Sequence, residues 1–77
     1  MATLVSALDT LFSPAAGDFI VQVTGGTCSL QRRNTSGAAW ANVSSVTNSA
    51  LVVSNPVAGA QYQFVTVKGS PAVQADQ

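Results

Sequence analysis

Few side chains in this sequence can do chemistry. There is one thiol, Cys28, together with three cations, Arg32, Arg33 and Lys68, and three carboxylates, Asp9, Asp18 and Asp76; histidine and glutamate are absent. General acid–base and nucleophilic catalysis draw mostly on histidine, paired carboxylates or an activated thiol, and none of these combinations can be assembled here. Cys28 alternates with Leu30, which predicts a small buried hydrophobe rather than a nucleophile. A single cysteine cannot close a disulfide within the chain, and four Cys/His ligands for a structural zinc do not exist. The residues therefore predict a protein that is not an enzyme and carries no cofactor or metal.

The cations point to surface contact. Arg32 and Arg33 are adjacent near the end of a predicted strand, so their side chains point to opposite faces. One is expected to lay its stem over Trp40 or Tyr62, the other to meet solvent or a partner carboxylate. Two arginines and a distant Lys68 do not make the basic stripe that nucleic acid requires. The turn glycines spell no phosphate loop. Asn34-Thr35-Ser36 and Asn42-Val43-Ser44 match the glycosylation tripeptide, but no secretory signal accompanies them. Trp40, Tyr62 and Phe64 could in principle stack on a sugar, yet in a chain with so few aromatic residues they are expected to be core.

These groups must be held by strands. Of 77 residues, 47% are apolar and 8% charged, with zero formal net charge, against about 25% charged in an average soluble domain. Apolar and polar residues alternate over 18–24 (Phe19, Val21, Val23) and 61–67 (Tyr62, Phe64), the period of a half-buried strand. Gly25-Gly26 predicts a tight hairpin, because both residues accept positive φ. Asn34-Thr35-Ser36-Gly37, Thr47-Asn48-Ser49 and Gly69-Ser70-Pro71 predict further turns, and Asn55-Pro56 ends another strand. The spacing predicts about six strands in a small single-domain antiparallel β-sandwich or barrel, Ig-like, over residues 12–77. Residues 1–11 form an irregular arm or edge strand. No run of apolar residues is long enough for a membrane helix.

The outward positions of these strands hold Ser, Thr, Asn, Gln and Ala, with Ile20, Val52, Val65 and Val67 interspersed. Such a surface is cheap to desolvate and suits packing against other protein. It also leaves strand edges without the charges that normally prevent pairing.

The order of these elements resembles a family of small tailed-phage virion proteins. The resemblance rests on Phe-Ser-Pro-Ala-Ala-Gly-Asp-Phe-Ile-Val-Gln-Val, then Gly-Gly, a strand ending Leu-Gln-Arg-Arg, and Trp40 in Ala-Ala-Trp-Ala-Asn-Val. A segment from Asn55-Pro56 through Gln61-Tyr62-Gln63-Phe64 completes it, so that it spans residues 12–68. Where family members often read Tyr-Arg-Phe, this chain has Gln63, which makes the face still more neutral. The resemblance implies a capsid decoration or cement protein, or a head-fibre component, located in the virion and assembled in a bacterial host cytoplasm. Its implied partners are the major capsid protein or other virion proteins and further copies of itself, with no nucleic acid or membrane. Ala2, Leu4, Val5 and Leu8 of the arm, with Arg32, Arg33 and Lys68 as rim charges, are the expected contacts. The alternative is a receptor- or glycan-binding tail or fibre module using Trp40 and Tyr62.

Overall fold

Long stretches of alternating Val, Phe, Tyr and Thr with few helix formers give strands throughout. In a computed structural model, described over residues 2–56 and 58–77, these are β1 (Thr3–Val5), β2 (Gly17–Arg33), β3 (Ala41–Thr47), β4 (Ala50–Asn55) and β5 (Gln61–Asp76). All pair antiparallel in one five-stranded sheet. β2 is central. β5 runs along one of its edges, from Ile20↔Asp76 to Arg33↔Gln61. β3 and β4 share the other edge end to end, from Arg32↔Ala41 to Gly17↔Asn55. The outer edge of β5 is lined by residues 2–12, through β1 at one end and the Phe12↔Tyr62 bridge at the other. The sheet thus has four rows: the arm, β5, β2 and the β3–β4 row.

A crease crosses these rows. The β2–β5 register slips between Thr24 and Gly26, beside Gly69, while Asn48 and Ser49 separate β3 from β4. Three rows supply a residue with positive φ there: Gly25 at 81°, Gly69 at 74° and Asn48 at 46°; the arm has its own at Asp9, 55°, where it rejoins β5 at Phe64. The Gly25 N–H donates to Asn48 Oδ1 at 2.7 Å, fastening two rows across the bend. Gly26 is required for closeness rather than for φ: a Cβ on it would lie 2.5 Å from the Lys68 carbonyl oxygen. The hairpin predicted at Gly25-Gly26 is therefore absent, and the strand runs through as a bulged bend. Partners on both sides of β2 hold it extended where a lone pair of strands would have turned. For the same reason residues 72–75 continue β5 instead of forming a separate strand; the two fusions leave four of the six expected strands, and β1 in the arm makes five.

The crease folds the sheet onto itself. Drawn straight, β2 would span about 50 Å. Residues 56–60 nevertheless carry the chain from Asn55, opposite Gly17, to Gln61, opposite Arg33, and such a link reaches about 20 Å at most. The two ends of β2 must come together, and the longest dimension of the molecule is only 30 Å. Phe19 from one half and Tyr62 from the other meet edge to face at 5.0 Å between ring centroids. Phe12, delivered by the arm, stacks on Tyr62 and Phe64 at 5.7 Å from each. With Val21, Val23, Cys28, Leu30, Val46 and Val53 they form the core. Each large side chain so buried contributes roughly 1.5–3 kcal/mol.

One polar residue is buried with them. Asn55 Nδ2 donates to the carbonyls of Pro14 and Ala15, and its Oδ1 accepts from the Tyr62 hydroxyl at 3.0 Å. This closes the open end of the fold without leaving the amide unsatisfied.

Candidate interaction surfaces

The groups able to do chemistry are placed apart. Cys28 is fully buried, and burial raises its thiol above the ordinary value. Among the described residues no group of three or more His, Cys, Asp or Glu comes together. Three regions of the surface stand out.

The first is the β3–β4 edge. Residues 41–55 contain no charge, no glycine and no proline, and the outer side of this row pairs with no other strand among the described residues. Val43 and Val52 are exposed on it, at 43% and 61%. Val52 lies opposite half-buried Ile20, so an apolar pair extends from the edge onto the outer face. The outward placement expected for Val52 and Val67 is observed, with Ile20 and Val65 partly covered by neighbours.

The second region is the basic end of β2. Arg32 points to the core side, its guanidinium 5.9 Å from the Tyr62 ring centroid, and its Nε is buried without a hydrogen-bond partner. Arg33 points outward, lies 4.4 Å from the Trp40 centroid, and donates from Nε to Gln61 Oε1 at 2.8 Å. Beside it the Gln63 amide donates to Gln31 Oε1, making a neutral amide ladder across β2 and β5. An open groove of about 330 Å³ lies along Arg32, Arg33, Asn34, Ala38, Ala41 and Val43. Trp40, expected in the core, is only half-buried. It sits in the connection between β2 and β3, outside the alternation that would have turned it inward, and its ring lies against the guanidinium of Arg33.

The third region is the arm. Ala2 is exposed and exchanges backbone hydrogen bonds with Gln77. Leu4 and Leu8 pack on the core, and Val5 is inside it. Val5 cannot act as a surface contact while the arm stays on its own sheet, because its side chain is already covered. Lys68 is exposed and pairs with Thr27 near the crease, away from the Arg32–Arg33 end. Of the expected contact residues, the fold sets Arg33 against Trp40, lines one groove with Arg32 and Arg33, and leaves Lys68 apart from them. Val43 was not among the expected contacts, although its uneven spacing from Val46 suggests a bulge; the register slip between Leu30 and Gln31 makes it the extra residue of one.

No protein family, curated protein or solved structure matches this chain.

Proposed function

We propose that the chain is a structural protein of a phage particle, a decoration or cement protein that binds the assembled shell and stabilises it. In this reading the folded-over sheet is a small sandwich, and its partners are the major capsid protein and further copies of itself. The observation that carries the proposal is the open β3–β4 edge. A row without charges, glycine or proline, bearing exposed Val43 and Val52, is an aggregation hazard for a protein that lives free. It is an asset where a neighbour always covers it. Repetition over symmetric sites then multiplies a modest affinity per site. The family resemblance in residues 12–68 supports the particular setting.

The test is to titrate purified particles lacking this protein with the intact chain and to image them by electron microscopy. Saturable, symmetric density on the shell is expected. Density confined to a tail, or none, would sink the shell assignment.

Trp40 favours a second reading, a glycan-binding module, because its ring is only partly buried and lies beside Arg33. Tyr62 cannot share that role, being buried and bonded to Asn55. A Trp40→Ala variant that stays folded and loses binding to a sugar would support this alternative.

A further inference from the structure

We propose that the groove at the basic end of β2 is a docking slot for an extended protein segment carrying a carboxylate side chain. The segment adds to the free edge of β3, and its carboxylate meets Arg32 and Arg33. The owner of the segment rests on the reading above; the chemistry of the slot rests on its own residues.

Charge complementarity is the main argument. Arg33 spends its Nε on a neutral amide and its face on Trp40, while the Arg32 Nε has no acceptor. Both arginines line the groove, reaching it from opposite faces of β2, and among the described residues neither has a carboxylate partner. A carboxylate is the acceptor their planar forks fit best, through charge-assisted bonds. The rest of the groove asks for something other than a free anion. Apart from Asn34, its wall is made of Ala38, Ala39, Ala41 and Val43, which offer no hydrogen bond from their side chains and favour an aliphatic neighbour. Ala41 and Val43 belong to β3, whose outer side is unpaired. An added strand gains main-chain hydrogen bonds there and sets alternate side chains into the groove. The bulge at Val43 turns that side chain toward the groove and bounds the slot. Nucleic acid is disfavoured, since Lys68 lies elsewhere and no further cation extends the pair along a backbone.

Trp40 is the only tryptophan and contacts Arg33, so its emission reports occupancy. The experiment titrates the full chain with a blocked pentapeptide, Thr-Val-Asp-Val-Thr, and with the same peptide carrying Asn in place of Asp. Saturable binding of the Asp peptide is expected, with roughly tenfold weaker binding of the Asn peptide, equal to about 1.4 kcal/mol. Arg32→Gln should abolish the difference between peptides, and Val43→Lys should weaken both; thermal melts confirm that each variant is folded. Equal binding of the two peptides by the native chain, or binding of acetate or inorganic phosphate as strong as that of the Asp peptide, would overturn the proposal. No particle is needed, so failure here is distinguishable from failure of the shell reading.

Discussion

The two outer edges of the sheet are built in opposite ways. On one side the arm meets β5 at Thr3–Val5, at Asp9 and at Phe12, kinks at Asp9, and inserts Val5 and Phe12 into the core. Its contribution is to the interior of its own chain. On the other side the β3–β4 row follows β2 along almost its whole length, yet two of its valines face outward. One edge is closed by irregularity and burial; the other, though bulged at Val43 and broken at Asn48-Ser49, is left neutral and open. An edge strand is normally blunted by charge, proline or covering chain. This molecule blunts one and spares the other, and the spared edge is where we propose that a partner docks.

Substitutions should separate the edges, and the largest effect belongs to the arm. Phe12→Ala removes a ring packed against Phe19, Tyr62 and Phe64 and should cost about 3–5 kcal/mol in denaturant unfolding. Tyr62→Phe, which leaves Asn55 Oδ1 without its donor, should cost about 1–3 kcal/mol. Trp40→Ala, at the surface, should cost only about 1 kcal/mol through the lost arginine contact and apolar cover. The smallest effect on folding is expected at the open edge: Val52→Lys should change stability by no more than about 0.5 kcal/mol. The same variant should nevertheless reduce self-association in sedimentation velocity and shell occupancy in titration. A Val52→Lys chain that unfolds, or one that associates as the native chain does, would erase the contrast between the edges.

The interior shared by both edges sets the pH response. Burial raises the Cys28 thiol and the Tyr62 phenol above their ordinary values of 9.0 and 10.0, with Arg32 partly opposing the second shift. The folded state holds these protons more tightly than the unfolded chain. The stability so gained is full below the ordinary values and is lost as pH rises through the raised ones. Thermal melts should therefore show a decline that begins above about pH 9, and Cys28→Ala should remove its earlier part.

Much of the core was legible in the sequence because it is written in short-range alternation. Phe19, Val21 and Val23, then Cys28 and Leu30, then Tyr62 and Phe64 all turn inward as their spacing demands. The crease was not legible. Gly25-Gly26 suits a hairpin and a bulged bend equally well, and strands distant in sequence decide between them. Trp40 escaped for a related reason: it lies in a connection where no period operates, so its hydrophobicity alone suggested the core. The open edge was half legible. Its lack of charge is plain in residues 41–55, but only the order of strands shows that this row, rather than β5 or β2, lies outermost.

The central claim is that the β3–β4 edge is the docking side. Amide hydrogen exchange, resolved by residue and compared between the free chain and the chain bound to shells, tests it most directly. The expected result is new protection at alternate amides of residues 41–55, with residues 2–12 unchanged because the arm is already engaged with β5. Protection gained along residues 2–12 while the 41–55 row exchanges as in the free chain would contradict it.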